Sequence, residues 1–299
     1  MITIEYSSIC FSEENYSQKI DEARRLVESA GLAFGLQIHN SISRQQLAKL
    51  LPYRDELSLS VHSPALGSHF LNLASPDRAA IEQTLSECLP VVEEARSNIF
   101  FFHGMFFCDK PIEHNMREYR RVMLAAMGDE FSVDQSFTQS PRVFETAAFA
   151  ARKQIFRENL AWLKKRLPGM VVALENDFVG VGSGLQRPQE LHELVENLWF
   201  DVGHFWCSSL LHKFDWTAES LRLIAEKNIV GVHLNHNFSQ PDDTPGELRD
   251  SHGHLYSEAP QDLRPVVRAL RDKGVERFCL EIVGGDIKDV ETLLNWLGA

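Results

Sequence analysis

The sequence predicts a single α/β domain over residues 1–299, a (β/α)8 TIM barrel, and three observations carry that expectation. Eight short β-like runs lie near 2–9, 33–39, 57–63, 98–104, 170–176, 199–203, 229–235 and 277–283, each followed by a helical pattern. The chain's 299 residues hold eight such units and leave no room for a second domain, a length ordinary for one complete barrel. Along the runs, apolar and polar side chains alternate, as they must when one strand face meets helices and the other a lumen.

Taken in order, Met1-Ile2-Thr3-Ile4-Glu5 has neither a basic n-region nor a long apolar stretch, and reads as a first strand rather than a signal peptide. In the third run Leu57, Leu59 and Val61 share one face, while Ser58, Ser60 and His62 share the other. In the eighth, Phe278, Leu280 and Ile282 oppose Cys279 and Glu281. The apolar sets belong against helices, so His62 and Glu281 are expected to point inward. Helical patterns lie near 13–30, 43–51, 76–96, 143–166, 187–197, 217–227, 260–273 and 288–297. Ser75-Pro76 reads as an N-cap followed by proline at the first helical position, and Thr217 as an N-cap. Strands separated by helices imply parallel pairing through right-handed crossovers. Residues 105–142, after the fourth strand, are too many for a simple connection. They read as a functional loop or small lid, or else as a peripheral elaboration. Gly180-Val181-Gly182-Ser183-Gly184 is either a flexible βα loop or a set of amides facing a phosphate. No Lys-Ser/Thr follows it, so it is not a P-loop. Phe205, Trp206 and Trp216 are expected in core or rim packing rather than stacked on a ligand.

Composition narrows the function classes. Hydrophobic residues make up 44% and charged residues 24%, the balance of a globular chain with a large core. The five cysteines form no C-x-x-C pair, which argues against a disulfide scaffold or thiolate zinc finger and for a reducing, cytoplasmic compartment. No apolar stretch reaches the length of a membrane span. The net charge of −12 disfavours a nucleic-acid partner without removing it, because bound cations reverse the sign at one site.

Metal-ligand residue types recur at the C-terminal ends of the runs, the catalytic end of such barrels. His62 ends the third, His103 the fourth and Glu175 the fifth; Asp201 and His204 form D-x-x-H at the sixth. His233 lies on the seventh, Asp250 and His252 form D-x-H after it, and Glu281 lies on the eighth. One inward His or Glu is more often a hydrogen-bonded core group than a ligand. Four carboxylates and five imidazoles at one mouth are another matter, because buried ionised groups need compensation. Divalent cations supply it, and an imidazole and carboxylate set without thiolate suits zinc first, with manganese, cobalt or magnesium as alternatives.

Along almost its whole length the chain resembles the xylose isomerase-like barrels, a superfamily of sugar isomerases and epimerases that also includes the endonuclease IV type of AP endonuclease (AP endonuclease 2 family). The motifs that carry the likeness are Val61-His62-Ser63-Pro64, Asn72-Leu73-Ala74-Ser75, Phe102-His103-Gly104, Ala173-Leu174-Glu175-Asn176, Phe200-Asp201-Val202-Gly203-His204, Val232-His233-Leu234-Asn235, Asp250-Ser251-His252 and Leu280-Glu281-Ile282. The resemblance implies a one-metal site of Glu175, Asp201, His233 and Glu281, as in the isomerases and epimerases. It also implies up to three zinc ions if His62, His103, His204, Asp250 and His252 join, as in endonuclease IV. The chain departs from the endonuclease pattern in its longer 62–72 loop, in His236 after His233-Leu234-Asn235, and in Leu255-Tyr256-Ser257-Glu258-Ala259-Pro260 after the D-x-H loop. These departures weigh against AP-site DNA more than against metals.

The expectation drawn from the sequence is therefore a phosphoester hydrolase with an endonuclease IV-like multimetal site and a small or, less favoured, nucleic-acid substrate, with Glu175 and Glu281 carrying the catalysis. A single-metal sugar or sugar-phosphate isomerase or epimerase is the alternative.

Overall fold

The structure, a computed structural model, describes residues 1–12, 15–113, 123, 140–180 and 182–299. Most of the segment expected to form a functional loop or lid, within 105–142, thus lies outside the described residues.

Eight parallel strands close into a barrel, each paired with its sequence neighbours and the last with the first. They are β1 Thr3–Ser7, β2 Ala33–Ile38, β3 Ser58–Ser63, β4 Ile99–Phe102, β5 Val171–Glu175, β6 Asn197–Asp201, β7 Asn228–Leu234 and β8 Arg277–Leu280. Around them run α1 Tyr16–Ser29, α2 Arg44–Leu50, α3 Arg78–Glu94, α4 Ala147–Arg166, α5 Pro188–Leu194, α6 Val202–His212, α7 Trp216–Glu226, α8 Arg264–Lys273 and α9 Ile287–Leu297. No described helix is long and apolar enough to cross a membrane.

Strand parity sorts the interior into two cores. Leu59, Val61, Phe100, Phe102, Phe278, Leu280 and Ile282 belong to the large cluster between sheet and helices. The alternate residues Ile99, Phe101, Ala173, Trp199 and Cys279 form a separate cluster that fills the lumen. There the Phe101 and Trp199 rings stack with centroids 3.8 Å apart. Gly231 admits the indole, since a Cβ at that position would lie 2.5 Å from the Trp199 ring. This packed plug is the floor on which the polar mouth rests.

Two helix starts differ from expectation. The cap of α3 is Asp77, whose Oδ1 accepts the Ala80 N–H at 3.1 Å, and not Ser75. Ser75 is drawn away because its hydroxyl donates to Asp109 O at 2.8 Å. The cap of α7 is Asp215, which accepts the Ala218 N–H at 2.9 Å, so Thr217 already lies inside the helix. In both places an aspartate two residues from the expected cap supplies the stronger acceptor. The sixth strand also begins two residues early, at Asn197, and α6 follows it without a loop, in a stretch where no helix was expected.

Candidate metal centre and active site

The architecture carries the candidate residues to one mouth. Glu175 and Asp201 are the last residues of β5 and β6, while His103 and Glu281 directly follow β4 and β8. His62 and His233 lie near the ends of β3 and β7. The D-x-x-H spacing has a local cause: Asp201 caps α6, with Oδ1 accepting the His204 N–H at 2.7 Å, so the helix start presents His204 beside it. Gly203 between them is required, because a Cβ there would lie 2.1 Å from Asn235 Oδ1. Asp250 and His252 come from the loop after β7, where His252 holds φ +43°, a conformation uncommon outside glycine.

All the sequence-predicted residues converge. The ligand-type atoms of Glu175, Asp201, His233 and Glu281 lie within 4.8 Å of one another. So do those of His62, Glu175 and His233, of His103, Glu175 and His204, and of His204, Asp250 and His252. Glu175 is common to three of these four groups: Oε1 lies 2.8 Å from His233 Nδ1 while Oε2 lies 3.2 Å from His62 Nε2 and 3.8 Å from His103 Nε2.

Hydrogen bonds assign the imidazole nitrogens. His233 can donate Nε2–H to Gln37 Oε1 at 2.8 Å, leaving Nδ1 to face Glu175, Asp201 and Glu281. His204 and His252 can donate Nδ1–H to the carbonyls of Asn176 and Glu281 at 3.0 and 2.9 Å. Their Nε2 atoms then converge on Asp250, at 3.3 and 3.2 Å. His103 can donate Nδ1–H to Asp177 Oδ1 at 2.9 Å, turning Nε2 toward Glu175. One nitrogen anchored and the other facing carboxylates is the arrangement of metal-bound histidine.

The buried carboxylates and imidazoles are charged against one another. Glu175, Asp201 and Glu281 are buried around one fully buried imidazole. Burial pushes the Glu281 carboxyl up to about 7, against the pull of His233 and His252. For Asp201 burial also opposes ionisation, but His204 and His233 outweigh it and hold the carboxyl down to about 2. Burial disfavours charge on His252 too, yet Asp250 overrides it and raises the imidazole to about 10. Glu175 Oε2, Glu281 Oε1 and Asp250 Oδ1 are buried oxygens that make no hydrogen bond among the described residues. Bare carboxylate oxygens facing ring nitrogens at 3.2–3.9 Å fit donors around an ion. Bonds of ~2.1 Å in a tetrahedron set neighbouring donors roughly 3.3 Å apart. The residues thus fit a divalent cation, with oxygen and nitrogen donors and no thiolate.

Above this floor lies a cavity of about 140 Å³, lined by Phe70, Phe106 and Phe178, by His39 and Asn40, and by six of the candidate ligands. Phe205 and Trp216 are buried in the core and Trp206 is tied to Ser239 O at 2.8 Å, away from the cavity lining. The glycine loop after β5 is braced: Gly184 N–H donates to Met105 O at 2.9 Å, and Gly182 O accepts the Phe107 N–H at 2.7 Å. The first contact uses an N–H that a phosphate cradle would leave open; Val181 lies outside the described residues. The landmark Asn72 is structural here, accepting the Phe106 and Ala74 N–H groups at 3.0 Å and donating to Cys108 O at 2.8 Å.

Sequence reasoning missed Gln37, His39 and Asp177. Gln37 and His39 alternate with Leu36 and Ile38 at the end of β2, so the parity applied to the third and eighth strands would have turned both inward.

The chain matches no protein-family model, and no curated protein matches it. Among solved structures it is similar to a D-tagatose 3-epimerase-like protein, with TM-score 0.61 and 16% identity over 99% of this chain and 95% of that one. It is similar also to a probable 3-DHS dehydratase from Bacillus anthracis, with TM-score 0.57 and 12% identity over 99% and 98% of the two chains. A xylose isomerase domain protein from Alicyclobacillus acidocaldarius aligns over the full length of both, with TM-score 0.54 and 16% identity. What the chain shares with them is the fold, a closed barrel of eight parallel strands with helices around it.

Proposed function

We propose that the chain is a divalent-metal-dependent enzyme that isomerises or epimerises a small sugar-like carbonyl compound, with Glu175, Asp201, His233 and Glu281 holding the metal. The observation that carries this reading is the placement of Glu175 and Glu281, buried carboxylates on either side of His233 Nδ1 at 2.8 and 3.2 Å. A cation bound there supplies polarisation of neighbouring carbonyl and hydroxyl oxygens on the substrate. That makes the proton on the adjacent carbon removable by one carboxylate. The other carboxyl returns a proton, to the opposite face in epimerisation or to the neighbouring carbon in isomerisation, where the hydroxyl proton also passes to the former carbonyl oxygen. The cavity of about 140 Å³, with Phe70, Phe106 and Phe178 in its lining, suits a small molecule. The names of the structural neighbours, an epimerase-like protein and a xylose isomerase domain protein among them, support this side of the sequence expectation over phosphoester hydrolysis.

Hydrolysis of a phosphoester stays as a second reading because of one observation. His103, His204, Asp250 and His252 build further ligand groups beside the first, and a row of cations suits attack on phosphorus. The deciding experiment incubates manganese- or cobalt-reconstituted protein in D₂O with a panel of ketoses and ketose phosphates, and in parallel with an aryl phosphodiester. Deuterium entering at a carbon beside the carbonyl supports the proposal. Phosphodiester turnover without exchange overturns it in favour of the hydrolase.

A further inference from the structure

Besides the nine residues already placed, the mouth holds one more imidazole of ligand type. His39 directly follows β2, and its Nε2 lies 3.4 Å from Glu281 Oε1. Its ring meets that of His62 edge-on, with centroids 5.4 Å apart. The ligand atoms of His39, His62 and Glu281 all lie within 4.8 Å of one another.

The two oxygens of Glu281 face different surroundings. Oε2 lies 3.2 Å from His233 Nδ1, on the side of Glu175 and Asp201. Oε1 faces His39 Nε2 and, at 3.9 Å, His62 Nδ1. Glu281 is only 2% exposed, and Oε1 makes no hydrogen bond among the described residues. A buried carboxylate oxygen without a proton or an ion is left desolvated and uncompensated, so this oxygen marks a position that something positive is built to fill.

His39 is also oriented. Its Nδ1 lies 2.6 Å from Ser41 Oγ, which can accept the Nδ1 proton and leave the Nε2 lone pair directed at Glu281. In the other tautomer Nδ1 takes the Ser41 N–H at 3.2 Å, so the ring stays anchored either way. One nitrogen anchored and the other facing a carboxylate is the arrangement already seen at His233, His204, His252 and His103.

We propose that His39, His62 and Glu281 form a separate divalent-cation position, with Glu281 bridging it to the centre made by Glu175, Asp201 and His233. Two imidazoles and one carboxylate leave the fourth position of a tetrahedral ion open toward the cavity, as at catalytic rather than structural sites. A neutral imidazole has one lone pair. His62 therefore serves this position through Nδ1 or the Glu175 Oε2 side through Nε2, and occupancy of the one competes with the other. This site rests on the metal-dependent reading of the mouth but not on the reaction assigned to it.

The test is equilibrium dialysis against Co²⁺ with metal analysis, and with the visible ligand-field bands recorded during titration, on the parent, His39→Ala and His39→Asn. Circular dichroism and melting temperature establish that each variant is folded, and His39→Asn stands in if the alanine variant is not. The expected result is loss of one equivalent of cobalt, or at least tenfold weaker binding of the weakest equivalent, together with loss of that equivalent's bands. Parent stoichiometry, affinities and spectrum in a folded His39 variant overturn the site. A parent that binds this equivalent but turns over no sugar leaves the site standing and removes the proposed reaction.

Discussion

Gln37 on β2 and His233 on β7 meet across the barrel lumen, with Oε1 2.8 Å from Nε2, although 196 residues separate them in the chain. The contact decides which imidazole nitrogen carries the proton. With Nε2–H donated to Gln37, the Nδ1 lone pair points into the ring of Glu175, Asp201 and Glu281. Gln37→Leu removes the acceptor with little change in volume and frees the opposite tautomer. Manganese affinity measured by calorimetry should fall ~10- to 100-fold, while Gln37→Glu retains an acceptor and most of the binding. Equal affinities in parent and Gln37→Leu would show that His233 is held by something else.

The ligand-type residues were legible because chemistry and periodicity coincide at strand ends. His62 and Glu281 fall on the lumen face of strands whose apolar residues have to meet helices, and Glu175, Asp201 and His233 sit where a barrel opens. Parity turns Gln37 inward, but its role was not legible, since a lone glutamine in an apolar strand becomes meaningful only when its cross-barrel partner is known. Asp177 likewise looks like one loop carboxylate among many until the β5 loop folds it back to His103 at 2.9 Å. The helix α6 was missed because Val202–His212 is apolar on nearly every face and shows no amphipathic period. The caps at Asp77 and Asp215 slipped by two residues because several adjacent residues there can cap, and only tertiary contacts, such as Ser75 with Asp109, select among them.

Asp177 divides its carboxylate between two partners, with Oδ1 on His103 Nδ1 and Oδ2 accepting the Leu185 N–H at 2.9 Å. Asp177→Asn can keep the backbone bond through its one carbonyl oxygen but loses the charge that supports His103. The expectation is a small change in melting temperature and a roughly tenfold loss of affinity for the metal equivalent that uses His103. Asp177→Ala loses both contacts and should lower stability as well, by ~1–3 kcal/mol for the orphaned buried N–H. If Asp177→Asn and parent load metal alike in dialysis, the pair is only structural.

Glu175 and Glu281 separate metal binding from proton transfer less cleanly than a lone catalytic base would, since each is both a ligand-type group and a candidate acid–base. Glu175 contacts His62, His103, His204 and His233, so Glu175→Gln should lower total metal content and abolish exchange together. Glu281→Gln should keep the Glu175-centred equivalents and lower kcat by ~10²- to 10⁴-fold, the range of general acid–base catalysis. Both quantities are to be measured on the same preparations. Full exchange activity in Glu281→Gln would remove Glu281 from the proton-transfer role.

His212, at the end of α6, lies away from the mouth and gives a pH dependence that metal does not obscure. Burial, aided by the nearby Arg187 guanidinium, pulls its imidazole down to about 3. The neutral ring can donate Nε2–H to Gln186 Oε1 at 3.1 Å and stands edge-on to Phe144 at 5.3 Å. In the unfolded chain the same ring protonates near ~6.5. Below that pH the unfolded state binds a proton that the folded state refuses, so the contribution of His212 is complete above ~6.5 and is lost as pH falls toward about 3. His212→Gln offers Gln186 an uncharged amide in place of the ring and should cost some packing against Phe144 at neutral pH. Its melting temperature should then fall less steeply than the parent's between pH 7 and ~4.5. Parallel curves for parent and variant over that interval would show that the ring is protonated alike in both states and that its burial carries no pH-dependent stability.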